Sequence, residues 1–181
     1  MNFYYTPIAI ITFIISSILV AIIKTIRIVN KKSNDQKMNL YYEIAQGILI
    51  VYIIVVLAYT LTPAPFGKRS VNLIPLKDNI RMIKYVGLMS YQFRTIAWNI
   101  LLFIPFGLIG GLVLKLKNKS CTKIILYGLL FSIGIEVMQY ITGMGRASDI
   151  DDVIFNLAGT LVGYLCSIFA IKIVTKYYAR S

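Results

Sequence analysis

Histidine is absent from these 181 residues, and only two cysteines occur. No imidazole is available as a base, and a zinc site built from Cys and His is excluded. A disulfide is not expected either, because Cys166 falls in an apolar run and Cys121 in a basic connection. Acidic groups are scarce, seven against nineteen basic ones. Charged residues make up 14% of the chain, where a soluble domain carries about a quarter. Apolar residues fill the space, at 58%, with a mean hydropathy of +0.76. This balance predicts an all-α integral membrane protein.

The net charge of +12 would suit nucleic acid, but its placement points elsewhere. The basic residues flank apolar runs instead of forming a face, which is how a chain anchors against anionic lipid. Membrane lipids are the expected partners, and nucleic acid is not.

A spanning helix needs about 20 apolar residues. Five stretches qualify: residues 8–28, 44–61, 95–114, 124–142 and 153–174. The first has no basic residue before Lys24 and no small-x-small cleavage site, so it reads as a retained helix and not as a signal peptide. The expected architecture is a bundle of about five transmembrane helices. Residues 1–42 form an N-terminal helix with a basic connection, 43–175 a helical membrane domain and 176–181 a basic tail.

Short connections rich in Lys and Arg stay in the cytoplasm. Lys24, Arg27, Lys31, Lys32 and Lys37 follow the first span, and Lys115, Lys117, Lys119 and Lys123 follow the third. Lys172, Lys176 and Arg180 close the chain. These groups share one side, which predicts a multi-pass cell-membrane protein with its N-terminus outside and its C-terminus in the cytoplasm. Residues 62–94 carry six basic residues on the other side, against that count, although a segment of such length tolerates some.

The outer ends of the last spans hold most of the acid. The fourth span places Gly128, Ser132, Glu136, Gln139 and Gly143 on one face. Glu136 sits roughly 9–10 Å below the outer end at 1.5 Å per residue. Asp149, Asp152, Asn156, Gly159 and Gly163 continue the pattern into the fifth span, and Asn99 lies about one turn into the third. Antiparallel neighbours would bring Asn99, Glu136 and Asn156 to a similar depth. Ser148 and Asp151 have the spacing of a capping box, which competes with a functional role for Asp151. The pairs Gly107/Gly111 and Gly159/Gly163 suit close helix approach, and Pro105 predicts a kink. An intramembrane carboxylate such as Glu136 costs about 2.5–3.5 kcal/mol on insertion scales, so it needs a partner or a task. Arg146 is the candidate partner.

The segments NILLFIPFG, EVMQ and GRASDIDDVIFNLAGTLVG, preceded by LTPAPF and NLIPL, resemble the VanZ family. The resemblance runs over about residues 60–165 and excludes the first helix. Its motif positions are Asn99, Pro105, Glu136, Gln139, Arg146, Asp149, Asp152 and Asn156. It implies a membrane protein of Gram-positive type, in a family whose founding member is associated with resistance to the lipoglycopeptide teicoplanin.

Two classes of mechanism follow. In the first, an enzyme acts on lipid-linked envelope precursors at the outer leaflet. Glu136 is then the general acid or base, Arg146 grips a phosphate or carboxylate, and Asp149 and Asp152 hold a divalent cation. Asn99, Gln139 and Asn156 contact the substrate. In the second, the protein binds or shields lipid headgroups or the antibiotic's target without chemistry. Arg81 and Lys84, alternating with Ile80, Ile83 and Val86, then form an interfacial amphipathic stretch, although a plain surface connection explains the same pattern.

Overall fold

The computed structural model describes residues 11, 15, 19–20, 36–61, 70–76, 80–81, 84–85, 91–117, 119–142 and 148–178. Four helices dominate: α1 (Gln36–Thr60), α2 (Tyr91–Leu116), α3 (Lys123–Thr142) and α4 (Ile150–Tyr178). Each contains a stretch long and apolar enough to cross a membrane, namely Leu40–Thr60, Phe93–Leu116, Lys123–Thr142 and Ile150–Ile173. The all-α membrane architecture stands. Among the described residues the number of such helices is four, not the five expected. The first expected span falls largely outside them; its described residues Ile11, Ile15, Leu19 and Val20 are helical and mostly exposed.

The helices are apolar nearly all round, so their outward faces carry large apolar side chains. Ile48, Leu101, Leu130, Ile141, Leu165 and Phe169 are exposed in this way, and a hydrocarbon solvent is what such faces suit. The interior is narrow. Val56, Phe103 and Ile135 form its centre, with Tyr52, Leu57, Leu102 and Phe131 packed against them. The rings of Phe103, Phe106 and Phe131 lie 5.3–6.0 Å apart between centroids.

The most intimate pair is α2 with α4, which are not neighbours in sequence. Gly159 faces the backbone of Ile100, Gly163 that of Ile104, and Gly107 that of Thr160 and Tyr164. These pairings advance together along both helices, so α2 and α4 run parallel. A Cβ at any of the three glycines would collide with the partner's carbonyl oxygen. The close approach expected of the small-residue pairs is therefore real, and backbone lies against backbone. Pro105 sits inside α2, which continues past it to Leu116.

One feature has no counterpart in the expected helical plan. Residues 71–72, in the connection between α1 and α2, form strand β1, which pairs in parallel with β2 at residues 148–149. Val71 stands opposite Ser148 and Asn72 opposite Asp149, and the Ser148 N–H donates to the Ser70 carbonyl at 3.0 Å. This short ladder ties the connection to the start of α4.

Candidate functional site

The end of the bundle where α1 and α3 finish and α2 and α4 begin carries a polar network. Its centre is Asp149, the last residue before α4. The Asp149 N–H donates to Glu136 Oε2 (2.9 Å), while Asp149 Oδ1 accepts the Asp151 N–H (2.9 Å) and the Asn72 side-chain amide (3.1 Å). The bond to Asp151 makes Asp149 the N-cap of α4, because the first turn of a helix has N–H groups without intrahelical partners.

The expected capping box of Ser148 and Asp151 is replaced by this arrangement. The Asp151 N–H goes to Asp149 and the Ser148 N–H to Ser70, so neither reciprocal bond of the box forms. The Ser148 hydroxyl instead donates to the Glu136 carbonyl at 2.9 Å. Asp151 is only 1% exposed, and its Oδ1 accepts the Leu76 N–H at 2.7 Å. Leu76 has φ of 60°, a left-handed conformation that costs an L-residue roughly 1–2 kcal/mol. The Asp151 carboxylate holds that turn in place.

Three further contacts join the spans. Asn99, in α2, donates its side-chain amide to Asp152 Oδ1 in the first turn of α4. Gln139 donates to the Thr60 carbonyl at 2.9 Å, satisfying one of the orphaned carbonyls at the end of α1. Asn156 donates to Ser132 Oγ at 2.9 Å. Ser132 precedes Glu136 by one turn, so Asn156 meets α3 one turn deeper than Glu136, while the pairing of Gly159 with Ile100 keeps it close to the level of Asn99. Gln139 Oε1 and Asn156 Oδ1 are buried and accept no hydrogen bond among the described residues.

Glu136, Asp149, Asp152 and Asn99 are thus brought together, with Gln139 on the Thr60 side and Asn156 one turn beyond Asp152 in α4. Arg146 lies outside the described residues. Arg81 and Lys84 are exposed on a helical stretch of the connection, and none of the network's bonds above includes them. No group of three or more acidic, His or Cys side chains able to hold a metal is gathered among the described residues. A cation at Asp149 and Asp152 would compete with the amides that already donate to their Oδ1 atoms.

The members not anticipated are Asn72, the Leu76 N–H and the Thr60 carbonyl. Asn72 left one local sign, since its Oδ1 accepts the Ile74 N–H two residues on (3.2 Å), a turn that Asn forms readily.

The profile of the VanZ/LLP1 family matches residues 49–172, well over half the chain. The chain belongs to that family. All the side chains of the network fall within the matched stretch. A VanZ/LLP1 relative, Protein VanZ of Enterococcus faecium, is 27% identical over 128 residues, covering 66% of this chain and 71% of the relative. No solved structure matches the chain. With four apolar helices and this family, it is a multi-pass membrane protein.

Proposed function

We propose that this protein acts at the outer leaflet of the cell membrane on lipid-linked cell-envelope components, and that it lowers susceptibility to lipoglycopeptides such as teicoplanin. One observation carries the reading: Asp149 joins the connection, α3 and α4 into a single polar site at one end of a membrane bundle. Headgroups and envelope precursors meet a membrane protein at that level. The relative named Protein VanZ supports the link to glycopeptides.

The geometry favours binding over chemistry. Asp149 Oδ1 caps a helix, Asp151 Oδ1 holds a turn, Glu136 Oε2 accepts a backbone N–H and Asp152 Oδ1 accepts an amide. These are positioning tasks. Gln139 Oε1 and Asn156 Oδ1 supply buried acceptors for the hydroxyl or amine donors of a bound headgroup.

A second reading, carboxylate-dependent modification, is favoured by Glu136 and Asp152 being half-buried and therefore within reach of a substrate. Expression in a sensitive Gram-positive host tests both. Protection against teicoplanin should exceed protection against a glycopeptide without a lipid tail. Glu136→Gln keeps an oxygen that accepts the Asp149 N–H, so binding predicts retained protection. Complete loss, with the variant accumulating normally in the membrane, would establish the catalytic reading instead. If the parent chain gives no protection, the envelope task is a different one.

A further inference from the structure

The connection between α1 and α2 exposes large apolar side chains beside basic ones. Leu73 is 72% exposed, Ile80 60% and Tyr85 78%, with Val71 and Ile74 also exposed. Arg81 and Lys84 lie among them, exposed as well. Residues 62–94 carry six basic residues against the single acidic Asp78. In water this would be an unusual surface for a connection.

Its height along the bundle is fixed by three bonds. The β1–β2 pairing and the Asn72 to Asp149 bond hold it to the residues just before α4. The Leu76 N–H is held by Asp151, the second residue of the span that begins at Ile150. The Ile80 N–H donates to the Leu76 carbonyl at 2.9 Å, so Ile80 follows within about one helical turn, roughly 5.4 Å. Residues 70–76 and Ile80 therefore stay level with the ends of the spans. Tyr59, Trp98 and Tyr140, all exposed and all near this end of α1, α2 and α3, mark the same level. Amphipathic aromatics gather where hydrocarbon meets headgroups.

We infer that this connection is seated in the bilayer that the chain itself spans. Leu73, Ile74, Ile80 and Tyr85 enter the boundary layer, and Arg81 and Lys84 extend to the phosphates of anionic phospholipid. Lysine and arginine bury their stems in apolar surroundings and keep the charged head among headgroups. Burial of such a face in lipid scales with apolar area and with attraction to anionic headgroups. The surface serves to hold the polar site at headgroup depth, and it stands whichever side of the membrane the site faces and whatever it binds.

The test uses the full chain with Cys121→Ser and Cys166→Ser, reconstituted in nanodiscs. A polarity-sensitive fluorophore is attached at Ile80→Cys or, separately, Tyr85→Cys. In phosphatidylcholine with phosphatidylglycerol, the label should emit at shorter wavelength, be quenched by spin-labelled lipid and resist iodide. Arg81→Gln with Lys84→Gln should remove the extra quenching that phosphatidylglycerol confers over phosphatidylcholine alone, and so should high salt acting on the parent. Quenching by iodide and not by lipid overturns the proposal. Protection from both quenchers also overturns it, because the face is then covered by protein. Lipid quenching indifferent to phosphatidylglycerol and to the basic pair rejects the anionic partner.

Discussion

Asp149 answers three demands with one side chain and one N–H: it caps α4, receives Asn72 and donates to Glu136. Removing the side chain in Asp149→Ala should cost about 1 kcal/mol for the cap. It also leaves the Asn72 amide without its acceptor. Asp149→Asn keeps a capping oxygen and should cost less. A double-mutant cycle with Asn72→Ala, read by thermal unfolding in detergent, should give a coupling of about 0.5–3 kcal/mol. Additive effects would mean that the strand pair and the Leu76 to Asp151 bond hold the connection to α4 without help from Asn72. Asp151 is the more sensitive position. It is buried, and Asp151→Ala strands the Leu76 N–H, so a loss of about 1–3 kcal/mol is expected.

Among the elements, the α2–α4 contact should be the least tolerant. Gly159→Ala and Gly163→Ala each place a methyl on a backbone carbonyl, of Ile100 and Ile104 respectively. Rigid backbone cannot turn aside, so each should destabilise by about 1–3 kcal/mol or more and lower accumulation in the membrane. Gly134 is the internal control, because nothing lies within 4 Å of its added Cβ. Gly134→Ala should be neutral or stabilising by up to about 1 kcal/mol, as glycine is the weaker helix former. Equal damage from all three would mean that the glycines act through the helices' own flexibility and not through contact. The spacing of Gly159 and Gly163 announced a packing face, but not its partner. Side chains at fixed intervals describe one helix; which helix lies against it depends on all four packing together.

For the whole molecule, the polar site and the basic connection after α2 lie at opposite ends of the bundle. With the basic end in the cytoplasm, Ser70→Cys in a cysteine-free chain should react with a membrane-impermeant thiol reagent on intact cells, and Ser120→Cys should not. Both positions are exposed at their respective ends, so access is decided by the membrane. The reverse pattern would turn the protein over and move the site to the cytoplasm.

The membrane class and the spans were legible in sequence because a bilayer imposes one length and one chemistry on every crossing segment. The observed spans begin and end within four residues of those read from the apolar runs. The acidic cluster was legible for the same reason, since a carboxylate in such a chain is costly enough to stand out. Tertiary structure alone decided what those carboxylates touch. Residues 72 and 149 are 77 positions apart, and no local pattern announces that a two-residue strand will join them. The reciprocal bonds of a Ser148 and Asp151 capping box lost to partners at Asp149 and Ser70 because the arriving connection supplied a backbone carbonyl and drew Asp151 to Leu76. Local spacing can name a hydrogen-bonding group, but its partner is chosen by whichever segment the fold brings within reach.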